Sequence, residues 1–349
     1  MDKINGQLLY ILNEESGLLI KKLVFYKVNF NNNWNEILCS IPASRLIRFL
    51  SCFRLFNRLL RLEPKCVERL TGDVFIVGFM HKIWRLNIRE KTFVEIYCGR
   101  HGFSDAINFC NINGFVYWGD YGKNSNYEPV NIYRTNGYEV RKMYTFPAGE
   151  VLHIHNIIPD KNSDNYWILA GDNESQAGIY KVNSDWTKIE PWKTGKQCYR
   201  AVMGFSYKGG LVYATDSVET ENHLRFIEKD GTEHILTTIN GSCMTGGETR
   251  GFYFFSTAVE PYEGTGFWRK FTFRLGGGIK NREVHVVSVN KENLKFEVIK
   301  VFQKDLLPMA LFLYGRVRFC KGQEAQDEYV WAYPEACRKY DGKTIKIEL

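Results

Sequence analysis

The chain has 349 residues, of which 44% are hydrophobic, 24% charged and 15% aromatic, and 46 basic against 39 acidic side chains leave a formal net charge of +7. This composition excludes a disordered or collagen-like chain, and the length is ample for one large core or two ordinary ones. The charge is mild for the size, which argues against a nucleic-acid partner.

The chain opens on MDKINGQLLYILNEES, whose apolar run is too short for a signal peptide. No uncharged apolar run reaches the roughly 20 residues of a membrane-spanning helix; the longest candidate, Leu306 to Tyr314, is interrupted by Pro308. The nine cysteines (39, 52, 66, 98, 110, 198, 243, 320 and 337) are odd in number and never spaced C-x-x-C. That pattern suits free thiols in a reducing compartment better than a disulfide framework or a zinc ribbon. The expectation is a soluble, cytoplasmic protein.

In chain order, a first apolar strand is expected near Leu8–Leu12. Residues 44–62 (SRLIRFLSCFRLFNRLLRL) then break the pattern, with no Gly or Pro and a helical period. At 100° per residue, Ser51, Arg54, Asn57, Arg58 and Arg61 fall within an arc of about 120°, opposite Phe49, Cys52, Phe53, Phe56, Leu59 and Leu60. This predicts a basic amphipathic helix inserted between the first two blades of a repeat fold. Either its apolar face caps the sheets, or the segment meets an anionic membrane or a partner protein through Arg54, Arg58, Arg61, Phe53 and Phe56.

Beyond it, four segments repeat: Phe115–Asp120, Tyr166–Asp172, Leu211–Asp216 and Phe252–Thr257 are apolar strands ending in a small and then a polar residue, with ends 52, 44 and 41 residues apart. Second strands follow the first three at Val130–Arg134, Gly178–Val182 and His223–Ile227. Weaker copies lie at Val74–Gly78 with Ile83–Leu86 and at Tyr329–Tyr333. Strand hairpins recurring every 40 to 50 residues are the mark of propeller blades. The chain is therefore read as all-β: one six- or seven-bladed β-propeller domain over residues 1–349, carrying the helical insertion at 44–62.

Ligand sites of propellers form where the inner strands of different blades end around the central channel, and the repeated strands are read as those inner strands. Asp120, Asp172 and Asp216 occupy equivalent strand ends, with Thr257 and Glu260 in the next blade. Alternating His153 and His155 project from one face of a strand, which suits a divalent metal, an anionic ligand or a general base. Arg200 is placed to clamp a carboxylate or phosphate. Glu174 and Glu260 are available as carboxylates for sugar chemistry, and Tyr121, Tyr199 and Tyr262 as stacking faces. There is no P-loop, no G-x-S-x-G and no H-E-x-x-H.

The runs His153–Asp160, Tyr166–Glu174, Tyr199–Val202 and Ala214–Ser217, with Tyr117–Tyr121, Ile132–Arg134 and Phe255–Glu260, resemble a family of sialidase-like (BNR-type, Asp-box) β-propellers over roughly residues 114–262. The Asp-box itself survives as relics at Asn183–Thr187 and Thr135–Tyr138. The resemblance implies a propeller and a carbohydrate ligand, in a family of glycosyl-hydrolase-like proteins, some of them associated with surface polysaccharides. Arg134, Arg200 and Arg250 are on offer for a sialidase's arginine triad, but no motif assigns them.

Together these features predict a cytoplasmic protein of cell-surface polysaccharide or glycolipid metabolism, peripheral at the inner membrane face. It would cleave or modify a glycan in a central pocket, with Asp120, Asp172, Asp216 and Glu260 as acid/base groups. His153 and His155 would act as base or metal ligands, and Glu174, Arg200, Tyr121, Tyr199, Thr257 and Tyr262 would bind substrate. A non-catalytic glycan-binding or scaffold propeller and a metal-dependent polysaccharide lyase are the alternatives.

Overall fold

Short apolar runs separated by Gly, Asn and Asp turns form strands that pair with their neighbours in sequence. The computed structural model describes residues 2–32, 34–100, 103–104, 106–264 and 267–349, with Arg269 described by its backbone alone. Seven four-stranded antiparallel sheets result, each in up-and-down order. The protein is a seven-bladed β-propeller, and among the described residues its helical content is confined to three short α-helices and two 3₁₀ turns. Blade 1 spans 7–40, blade 2 66–98, blade 3 110–146, blade 4 154–194, blade 5 201–238 and blade 6 243–303. Blade 7 runs from Arg316 to Glu348 and takes its fourth strand from the N-terminus, where Lys3–Asn5 pairs with Lys343–Ile345. No helix among the described residues is long and apolar enough to cross a membrane.

The chain forms two compact units, one of residues 64–215 and 223–237 around blades 2 to 5, the other of residues 1–63, 216–222 and 238–349 around blades 1, 6 and 7. In the first, aromatic rings join neighbouring blades. Trp186 stacks on Tyr117 (centroids 5.1 Å apart, 8° between planes) and on Tyr166 (5.4 Å, 20°). It sits on the turn 183–187, where Asp185 Oδ1 accepts hydrogen bonds from the Thr187 amide and hydroxyl. This turn thus plugs a core between blades. In the second unit the core of blades 6 and 7 is mainly aliphatic and phenyl, with Phe254, Val284, Val286, Val317 and Val330 fully buried, while Trp331 of blade 7 lies against Phe30 of blade 1.

The repeated strands are the second of each blade rather than the innermost. Asp120, Asp172 and Thr257 therefore stand one strand further out than an inner-strand end, which corrects the sequence-based placement. Because strands one and two are antiparallel, the end of the second lies beside the start of the first, as the pairing of Ala170 with Ile154 shows in blade 4.

Residues 44–62 differ more sharply from expectation. They form two helices, α1 (Arg45–Leu50) and α2 (Arg54–Leu59), separated by Ser51 to Phe53. Ser44 caps α1 through the Ile47 amide, and the Ser51 hydroxyl donates back to the Arg48 carbonyl, a bond that competes with helix continuation. The amphipathic sense is inverted. Arg58 is 3% exposed, whereas Phe49, Phe53, Leu55, Phe56, Leu59 and Leu60 face outward. The reason is ion pairing. The Arg54 guanidinium donates to Asp341 and Glu63, and Arg58 donates to Asp305, Asp341 and the Phe312 carbonyl. Arg54 and Arg58 are consequently unavailable to an external surface; Arg61 remains exposed.

Candidate functional site

Blade 4 starts at Ile154, and the two histidines bracket that start. A β-bulge falls between Ile154 and Asn156, at His155. Neighbouring backbone holds this point tightly. Gly119 of blade 3 approaches so closely that an added Cβ would lie 2.3 Å from the Ile154 Cβ, so only glycine fits. The Asp120 carbonyl then accepts from the Ile154 amide at 2.9 Å. On the other side, Gly171 adopts φ +77°, and its amide donates to the His153 carbonyl at 3.0 Å. That turn swings Asp172 onto the imidazoles.

The result is a buried cluster. His153 and His155 are each 3% exposed, and their Nε2 atoms are 2.8 Å apart. Asp172 brings Oδ2 within 3.3 Å of His153 Nε2 and Oδ1 within 3.1 Å of His155 Nε2. Arg200, at the end of the 3₁₀ turn Gln197–Tyr199, sets Nε 3.4 Å from Asp172 Oδ1. Gln197 Nε2 donates to the Asp172 carbonyl at 2.8 Å, and the Tyr121 ring lies 4.5 Å from that of His153.

The protons on these rings follow from their partners. His153 Nδ1 is 2.7 Å from the Gly122 carbonyl and His155 Nδ1 is 2.9 Å from the Ala201 carbonyl. A carbonyl only accepts, so both Nδ1 atoms carry hydrogen, and the neutral rings present Nε2 lone pairs to each other. Two lone pairs at 2.8 Å repel unless a proton or a metal cation stands between them. Burial pushes the His155 value below that of an ordinary imidazole, with Asp172 pulling the other way. Burial would raise Asp172, yet an Nε2 proton held between the two imidazoles keeps its carboxyl well below the usual range, so it stays ionised; a bound cation would take that proton's place. Two neutral imidazole nitrogens and a carboxylate, with ligand atoms within 4.8 Å of one another, form a donor set that fits a divalent cation. The carbonyl acceptors behind each Nδ1 are the outer contacts that orient metal-binding histidines. With three protein ligands, a bound ion would keep coordination positions open to a substrate.

The other sequence-predicted residues are dispersed. Asp120 is buried, but it takes hydrogen bonds from Arg100 and from the Asn131 amide, the role of a structural turn. Tyr199 is turned away from the cluster and donates to Glu233. Glu174 is exposed on the turn after Asp172. Asp216, Thr257, Glu260 and Tyr262 belong to the other unit. There Asp216 is buried and helps raise the Cys243 thiol, the larger cause being that thiol's own burial. Ser242 donates to Glu260, Thr257 Oγ1 accepts from the His285 amide, and Arg274 lies over the Tyr262 ring. Sequence reasoning missed Gln197 and the carbonyls of Gly122 and Ala201. Backbone carbonyls leave no residue-type signature, and Gln197 becomes relevant only when the turn at 197–199 meets Asp172.

Fold and site together define a seven-bladed propeller with a His/His/Asp centre in blade 4. Its backbone is similar to that of an oligogalacturonate lyase solved in complex with manganese (TM-score 0.53, 8% identity, 98% of this chain and 88% of that one). It is also similar to an oligogalacturonate lyase from Vibrio parahaemolyticus (TM-score 0.57, 8% identity, 94% and 85%). The WD40 propeller domain of Doa1 matches as well (TM-score 0.58, 8% identity, 99% and 95%). Such low identities carry the fold alone. No protein-family model matches the sequence, and no curated protein matches it.

Proposed function

We propose that the protein is a metal-dependent, carbohydrate-active propeller whose His153/His155/Asp172 centre handles an acidic sugar, in the manner of a polysaccharide lyase. The observation that carries this reading is the pair of Nε2 atoms 2.8 Å apart, each ring locked by a carbonyl behind it, with Asp172 closing the third side. The charge balance supports it: neutral imidazoles, one carboxylate and the Arg200 guanidinium, plus a divalent ion, sum to a centre that attracts anions. Arg200 is placed to contact a uronate carboxylate, and Tyr121 offers a ring beside it. A bound divalent cation would supply Lewis acidity toward that carboxylate. In uronate elimination, a base removes the proton α to the carboxylate, the C4–O bond breaks with its electron pair leaving on the oxygen, which takes a proton from an acid or water, and a C4–C5 double bond forms. Manganese in an oligogalacturonate lyase of similar backbone favours this class.

Glycoside hydrolysis, the leading expectation from sequence, gains less support. It needs two carboxyl groups about 5 to 10 Å apart, one of them protonated. Within the unit holding the centre, Asp172 is held ionised, and Asp120, although burial raises its carboxyl, is engaged by Arg100 and the Asn131 amide. A propeller that only binds glycans remains the rival, separated by turnover.

Elemental analysis of freshly purified protein should find stoichiometric divalent metal, absent from the His153→Ala/His155→Ala variant. Acidic polysaccharides should then yield products with the ultraviolet absorbance of an unsaturated uronate. Protein that neither contains metal nor is stabilised by manganese, zinc or calcium refutes the metal centre. Metal without turnover leaves the binding module.

A further inference from the structure

The inverted helices leave a surface that the metal centre does not explain. Phe49, Phe53 and Phe56 form a ladder along α1 and α2, with ring centroids 5.2 and 6.3 Å apart, and Phe49 is 62% exposed. Helix α2 packs against α3 (Met309–Phe312), which packs in turn against the 3₁₀ turn Phe267–Phe271. On that turn Phe267, Trp268 and Phe271 cluster, and Trp268 is 80% exposed. Exposed aromatics on this scale, all within one compact unit, mark a contact surface.

Charge identifies what covers it. Residues 44–62 hold five basic and no acidic side chains, residues 264–282 again five and none, and residues 306–322 three and none. The carboxylates beneath, Glu63, Asp305 and Asp341, are taken up by Arg54, Arg58 and Lys304. Cations predominate at the surface beside the aromatics: Arg45, Arg61, Lys270 and Arg274 are all exposed, against the exposed Glu263 that precedes the turn. Trp and Phe set among Lys and Arg, with those carboxylates beneath withdrawn, match the interface of an anionic bilayer, where rings enter the headgroup layer and cations meet phosphates.

We infer that this face docks the protein peripherally on an anionic phospholipid membrane. The inference rests on no part of the metal centre. The test is co-sedimentation of the full chain with vesicles of phosphatidylcholine alone and of equal parts phosphatidylcholine and phosphatidylglycerol. The anionic vesicles should bind the parent, and added salt should weaken binding. The Phe49→Ser/Trp268→Ser variant should bind at least about tenfold more weakly, and Arg45→Glu/Lys270→Glu should lose the preference for phosphatidylglycerol. Exposed positions in the other unit provide the control: Tyr138→Ser and Ile235→Ser should bind like the parent. Parent that ignores both vesicles, or binding unchanged in the patch variants, overturns the proposal. So does a parent dimer by light scattering that the Phe49/Trp268 variant converts to monomer, since a second copy would then be the occupant. Unfolding temperatures of the exposed-site variants, expected near the parent value, separate docking from misfolding.

Discussion

Two buried polar clusters in this protein look alike in composition and differ in whether they close. Beneath α1 and α2, each partner meets its complement: Arg54 bonds Glu63 and Asp341, Arg58 bonds Asp305 and Asp341, and Arg316 and Arg318 bond Glu335. The cluster at His153, His155 and Asp172 closes only when a proton or a metal cation stands between its two facing Nε2 atoms. A closed cluster holds elements in place. One that needs an outside cation is built for a ligand. This contrast, more than residue type, separates the structural carboxylates from Asp172.

Opening the closed cluster carries the largest expected effect. Arg58→Ala leaves Asp305 to Lys304 and Asp341 to Arg54 but removes a buried guanidinium and the donor to the Phe312 carbonyl, and denaturant unfolding should show a loss of about 3–4 kcal/mol. A loss below about 1 kcal/mol would mean that water replaces the guanidinium and that the two clusters differ less than their geometry indicates.

Acid probes the same cluster. Burial alone would raise Glu335, but Arg316 and Arg318 hold its carboxyl down, at about 2 against an ordinary 4.5. A depressed folded-state value stabilises the fold above the unfolded value, and that contribution is lost as pH falls from about 4.5 toward 2. It amounts to something on the order of 3 kcal/mol. Glu335→Gln should lower stability at neutral pH and flatten the acid limb of a stability–pH profile. An unchanged slope would remove Glu335 as its source.

The smallest effect on the empty fold belongs to the open cluster. With a chelator present, His153→Gln should shift unfolding free energy by less than about 1 kcal/mol, since it relieves one facing lone pair. With manganese at about 100 times its dissociation constant, the parent should gain about 2.7 kcal/mol and the variant almost none. Equal gains would place bound metal elsewhere.

Much of this was legible in the sequence. The spacing of Asp120, Asp172 and Asp216 signalled repeated hairpins, and short apolar strands with turn residues can satisfy their backbones only by pairing with neighbours. His153 and His155 were recognisable as a same-face pair because side chains alternate along a strand. Asp172, by contrast, looked no different from Asp120 as a third ligand beside the histidines. Their separation depends on Gly119 and Gly171, which set how closely two strands and a turn approach the start of blade 4.

The helices show the limit most plainly. Helical periodicity told which side chains of residues 44–62 share a face, because that is local geometry; it did not tell which face turns inward. Arginine-out, phenylalanine-in is the default when the neighbours are apolar. Here Glu63, Asp305 and Asp341, the latter two some 250 residues or more away in sequence, wait beneath the segment and draw the guanidiniums in. Blade repeats, strand alternation and the histidine pair were thus determined by the sequence itself, through local periodicity. Which aspartate joined the histidines, and which side of the helices met solvent, were decided by tertiary structure, because buried charge takes the partner that the fold brings within hydrogen-bond reach.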